Sequence, residues 1–135
     1  MLDEERGIIR HPEFASQLRD FRGLRFGKIT PTDIDGFIEY LDECFVFVEA
    51  KHGTAQMPYG QRLAFERLAD ACSQVRPTVY ILASHDAGIN ENINFADCSV
   101  TQYRYGRVWK LQMPRITVRE FIDKFFKNGY KPEEL

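Results

Sequence analysis

At 135 residues, with 44% hydrophobic and 28% charged residues, the chain has the size and balance of one globular domain able to bury a core without staples. No apolar run approaches bilayer length, the N-terminus is acidic and polar rather than signal-like, and three cysteines make no disulfide framework. These features point to a cytoplasmic protein with no membrane partner in which Cys44, Cys72 and Cys98 are reduced core residues rather than catalytic thiols. The formal net charge of −2 is no advertisement for a nucleic-acid binder, although cations crowd the N-terminal part (Arg19, Arg22, Arg25, Lys28) and the C-terminal third (Arg104, Arg107, Lys110, Arg115).

In chain order, Leu2–Ile9 and Pro12–Phe21 each read as helical, with Phe14, Leu18 and Phe21 spaced for one face and Gly23 as the stop. Arg25–Thr30 then reads as a short strand. Phe37–Tyr40 and Cys44–Val48, rich in Val, Ile, Phe and Tyr and joined by Leu41-Asp42-Glu43, predict an antiparallel hairpin. Both of its faces are apolar over most of their length, which suggests a central hairpin covered on each side. A small, polar loop runs to Met57-Pro58. Tyr59–Gln74 predicts a helix with Ala64, Leu68 and Cys72 four apart, and Thr78–Ser84 a buried parallel strand completing a βαβ crossover. Ala87–Ala96, rich in Asn and Gly, reads as a mobile loop.

Cys98–Tyr105 and Arg107–Met113, joined at Gly106, form a second candidate hairpin. Tyr103, Tyr105 and Trp109 are interleaved there with Arg104, Arg107 and Lys110, a pattern that suits base stacking but suits a half-buried strand pair better. Thr117-Val-Arg-Glu120 is a capping box for a helix turning Phe121, Ile122 and Phe125 inward. Gly129 ends that helix, and Lys131–Leu135 reads as a frayed tail.

The chemistry gathers at the open end of the first hairpin. If Tyr40 faces Cys44, then Asp35 faces Glu49 and Asp33 faces Lys51. Period-two alternation puts these four charges on one face with Phe37, Phe45 and Phe47, while Ile38, Val46 and Val48 line the other. Two carboxylates across a strand pair repel, so such a sequence calls for a cation. Mg²⁺ or Mn²⁺ suits an all-oxygen set, whereas zinc would want Cys or His. His52 and the His85-Asp86 pair read as incidental or structural, and the bland reading of the whole cluster is a surface ion-pair group.

Asp35, an intervening strand and turn, then Glu49-Ala50-Lys51 resembles the D…(D/E)-x-K signature of the PD-(D/E)XK (restriction-endonuclease-like) nuclease superfamily. Asp33-Ile-Asp-Gly-Phe-Ile-Glu followed by Phe-Val-Phe-Val-Glu-Ala-Lys is similar to the hairpin of its small resolvase-like and phage or prophage members. The match covers Ile29–Ala69, about a third of the chain. The eponymous Pro-Asp pair is absent, since Pro31 precedes Asp33 by two residues and Asp35 by four.

The resemblance implies an α/β fold with a mixed central sheet and helices on both faces (an αβββαβ core), here followed by the C-terminal hairpin and helix. It implies a divalent-metal-dependent nuclease, an endo- or exodeoxyribonuclease acting on DNA. Asp35, Glu49 and the backbone carbonyl of Ala50 would hold Mg²⁺ or Mn²⁺, with Asp33 as a second ligand or a strand-end cap. Lys51 would orient the attacking water and stabilise developing charge. A helix-borne Gln after the E-x-K strand occurs in some subfamilies, which makes Gln61 a candidate, and an acidic residue on a preceding helix would be Glu5 or Glu13. Tyr59 is a candidate base-stacking residue that is equally a helix start. A homodimer is expected if the substrate is a branched junction. The rival readings are a non-catalytic nucleic-acid- or protein-binding module on the same fold and an RNA-directed nuclease.

Overall fold

A computed structural model describes residues 6–15, 17, 19–88 and 91–132, with the side chains of 14 and 15 left aside. The chain divides into two compact units, Met1–Thr32 and Asp33–Leu135, and each is described by itself.

In the first unit the helical expectations shrink. Residues 6–9 form a turn and irregular chain instead of continuing a Leu2–Ile9 helix, whose first positions lie outside the described residues. Of Pro12–Phe21, only α1 (Pro12–Ala15) is helical; positions 16 and 18, and so the Leu18 part of the expected face, lie outside the described residues. One local competitor is visible: the Asp20 carboxylate accepts the Arg22 amide at 3.1 Å and its guanidinium at 2.9 and 2.8 Å, and a 3₁₀ turn over Arg22–Leu24 follows. Arg25–Thr30 is not a strand. Phe26 and Ile29 bridge only each other around Gly27, whose φ of 65° makes a tight turn.

The second unit is mixed α/β. Strands β1 (Gly36–Tyr40), β2 (Cys44–His52), β3 (Thr78–His85), β4 (Ser99–Tyr105) and β5 (Val108–Leu111) form a five-stranded sheet in sequence order. Only β2 and β3 are parallel, because only they are joined through a helix, α2 (Tyr59–Ser73). The hairpin register is as read from the sequence, with Tyr40 paired to Cys44 and Phe37 to Phe47. Its turn places Leu41 and Asp42 at φ of 52° and 57°, a left-handed pair held by the Glu43 amide donating to Tyr40 O at 2.8 Å and by Arg76 Nε donating to Asp42 O at 2.7 Å.

The hairpin is not central. β2 is an inner strand, but β1 is the sheet edge, and Phe37 and Ile38 stay 53% and 36% exposed there. The resemblance's third strand before the helix is therefore missing among the described residues, while β4 and β5 extend the sheet beyond β3.

Alternation along β2 and β3 divides the core in two. Val46, Val48, Val79 and Ile81 face α3 (Val118–Lys127), which adds Phe121, Ile122 and Phe125. Phe47, Tyr80 and Leu82 face α2, which contributes Phe65 and Ala69, flanked by Leu68 and Cys72. The buried stripe of α2 is thus centred one position beyond the Ala64–Leu68–Cys72 reading, and Ala64 is exposed. α3 begins in the expected capping box, Thr117 Oγ1 accepting the Glu120 amide at 3.1 Å and Glu120 accepting the Thr117 amide at 3.3 Å. Gly129 follows it with φ of 64°. The tail is tied down at its start: Asn128 donates to Lys131 O and Pro132 O, and Pro132 is buried; its last three positions lie outside the described residues.

Candidate functional site

Glu49 is buried for a topological reason. It lies near the end of an inner strand, on the α2 face two residues beyond Phe47, and retains 3% exposure. Desolvation, reinforced by the nearby Asp35 charge and opposed by Lys51, pushes its carboxyl up to about 7. The two oxygens differ. Oε1 lies 3.4 Å from Lys51 Nζ and accepts Gln61 Nε2 at 3.5 Å, whereas Oε2 is buried without a hydrogen-bond partner.

Lys51, two residues on and on the same face, is held by donating to Gln61 Oε1 at 3.2 Å. Gln61 sits in the first turn of α2 and can serve both neighbours because its amide offers a donor to Glu49 and an acceptor to Lys51. Gly53, at φ of 56° and donating its amide to His85 O at 2.8 Å, turns the chain away immediately after this strand end. Asp35 precedes β1 and extends the ladder with its side chain, Oδ2 accepting the Ala50 amide at 3.0 Å. The structure thus brings Asp35, Glu49, Ala50, Lys51 and Gln61 to one place. Asp33 is exposed and outside the strand, and so is not set across the ladder from Lys51.

The remaining sequence candidates fall elsewhere. Glu5 lies outside the described residues. Glu13 is exposed in the first unit, with its Oε1 3.4 Å from His11 Nδ1. His52 and His85 are register partners with ring centroids 5.4 Å apart, on the sheet face opposite Lys51. The aromatics of the second hairpin are structural. Tyr103 packs on Phe121, Tyr105 donates to Tyr130 O, and Trp109 donates to Glu66 at 2.6 Å beneath the Arg62 guanidinium. Arg104 is locked to Asp70 by two bonds of 2.9 and 2.8 Å. Burial pushes the Cys44 thiol up to about 11 and raises that of Cys98, as expected of inert core cysteines.

One residue of the neighbourhood escaped the sequence reading. Tyr80, fully buried among Phe47, Phe65 and Trp109, has a hydroxyl with no hydrogen-bond partner, and burial, reinforced by Glu49 and Asp35, disfavours its ionisation. In sequence it is one aromatic in an apolar run, and only its parallel register beside Phe47 brings it near the carboxylates. No protein-family model, no curated protein and no solved structure matches this chain.

Proposed function

We propose that the chain is a divalent-metal-dependent nuclease that hydrolyses phosphodiester bonds, with DNA as the favoured substrate. The observation that carries this reading is the buried, partnerless Oε2 of Glu49 beside the Asp35 carboxylate. A carboxylate left buried and unsatisfied next to a second one is costly unless a cation completes the site. The donor chemistry fits Mg²⁺ or Mn²⁺, since Asp35, Glu49 and the Ala50 carbonyl offer only oxygen. Among the described residues no group of three or more His, Cys, Asp or Glu converges, so water and substrate oxygens would complete the shell, as is usual for Mg²⁺. Such an ion supplies Lewis-acid polarisation of the phosphate and an acidified water.

The chain's own groups have distinct tasks. Asp35 and Glu49 would hold the ion, Lys51 would orient the attacking water and aim an ammonium at charge developing on the phosphoryl oxygens, and Gln61, bonded to both Glu49 and Lys51, would fix their orientation. The order of elements supports the reading: a strand led by Asp35, an antiparallel strand ending in Glu49-Ala50-Lys51, a helix carrying Gln61, then a parallel strand. The test is incubation of the purified protein with duplex, single-stranded and branched DNA, and with RNA, in Mg²⁺, Mn²⁺ or EDTA. Metal-dependent cleavage, abolished in Asp35→Ala and Glu49→Ala, is expected. Full activity in either variant, or none in the wild-type protein on any substrate, overturns the proposal.

A further inference from the structure

A cavity of about 800 Å³ opens beside Lys51. Along one side runs the end of the sheet where β2 and β3 finish and β4 begins. Lys51, Ser84 and Ser99 stand there in register across three strands, and Ser99 bridges to Thr117. At about 4.8 Å per strand that row covers about 14 Å, and Arg115, two residues before Thr117, marks its far end. The first turns of α2 contribute Tyr59 and Arg62 to the lining.

The chemistry of this groove is uneven in a useful way. Three cations, Lys51, Arg62 and Arg115, line it against one carboxylate, Asp86. Arg62 is held rigid, its guanidinium 4.4 Å from the centre of the Trp109 ring, 3.5 Å from Glu66 and 3.4 Å from Gln102. Arg115 is exposed, with no partner among the described residues. Tyr59 leaves 79% of itself in solvent at the start of the helix that carries Gln61, so its ring contributes little to the core. An exposed aromatic beside a short cationic track offers a platform for a base face. In a duplex interior those faces are already stacked on their neighbours, and three cations neutralise only a short stretch of backbone.

We infer that this groove binds one unpaired nucleic-acid strand next to the scissile phosphate, with Tyr59 stacked on a base and Lys51, Arg62 and Arg115 against its phosphates. The inference deepens the nuclease reading, on which it rests for the cleavage site alone. It assigns the substrate a single-stranded segment, whether free, frayed or a flap.

The test is fluorescence anisotropy in EDTA with a labelled twelve-residue oligo-dT and a hairpin duplex of the same length. The single strand should bind at least about tenfold more tightly, with a log–log salt slope of about −2, the value for three neutralised phosphates. Tyr59→Ala should weaken single-strand binding about tenfold, with Tyr59→Trp restoring it. Arg115→Ala should flatten the slope by about 0.7. Tyr59→Ala should leave duplex binding unchanged, since duplex base faces are already stacked, and neither variant should shift the thermal transition, since both residues are exposed. Equal or tighter duplex binding, or an unchanged Tyr59→Ala, overturns the inference. Cleavage in Mg²⁺ run in parallel separates the two claims. Single-strand cleavage indifferent to Tyr59 sinks the groove and leaves the nuclease. Tyr59-dependent single-strand binding without cleavage of any substrate does the reverse.

Discussion

The two sides of β2 make opposite use of one strand. Toward α3, Val46 and Val48 join Val79, Ile81, Val100 and Phe125 in an apolar cluster in which each of these residues is at most 5% exposed. Toward α2, Phe47 begins a similar aromatic stack with Tyr80 and Phe65, but the next residue on that face is Glu49, and the cluster ends in two buried oxygens without partners. Because side chains alternate with period two, an inner strand can place stability on one face and chemistry on the other with little interference between them. Substitutions on the two faces should therefore be separable, which gives the comparison its tests.

Among substitutions that leave the two carboxylates in place, the largest effect belongs to Lys51. Lys51→Ala should leave Mn²⁺ binding nearly intact while lowering the single-turnover cleavage rate by about two to three orders of magnitude, as for loss of one preorganised donor. Lys51→Arg should not rescue it, because a planar guanidinium cannot replace a compact ammonium. Titration calorimetry beside single-turnover cleavage decides; near-normal cleavage by the Arg variant would reduce Lys51 to a binding residue.

On the opposite face, Phe125→Ala should cost about 3–5 kcal/mol in urea unfolding, since Phe125 is fully buried. Activity per folded molecule should hold. If cleavage falls beyond the unfolded fraction, the two faces are not independent.

Glu49→Gln sharpens the comparison through pH. The folded carboxyl sits near 7 against an ordinary value of 4.5, so its stabilising contribution is fully present below about pH 4.5 and lost as pH rises through 7. In EDTA the neutral Gln variant should gain on the wild-type protein across that window, by up to about 3 kcal/mol above it. Thermal melts from pH 4 to 8 would show this as a growing difference in Tm; a constant difference would mean that Glu49 is not held protonated by burial.

The smallest effect lies at the hairpin turn, remote from both faces. Leu41, 70% exposed with φ of 52°, occupies a conformation that costs an L side chain energy, so Leu41→Gly should stabilise by about 0.5–1 kcal/mol without touching cleavage. A loss of stability on denaturant unfolding would show that the Leu41 side chain has a packing role.

By itself, the sequence determined whatever depends on local pattern. The alternation of Phe37–Tyr40 and Cys44–Val48 determined the hairpin and its register, Thr117 with Glu120 determined the start of α3, and the spacing from Asp35 to Lys51 brought Asp35, Glu49 and Lys51 together, though not Asp33, which lies before the ladder begins. Gln61 was legible as a candidate from its place just after that strand, but its bonds to both Glu49 and Lys51 depend on how α2 packs across the sheet. Where burial comes from distant chain, the local pattern misled. Phe37 and Ile38 look like core residues and lie on an edge strand, and Arg25–Thr30 looks like a strand and is a turn, whereas Tyr103 and Trp109 are packed as the half-buried strand reading favoured. The unsatisfied Tyr80 hydroxyl and the row from Lys51 to Arg115 were tertiary decisions altogether, since both arise from strands laid side by side across some thirty to sixty residues of sequence. No local periodicity encodes that adjacency; it exists only once the sheet has closed around β2 and β3.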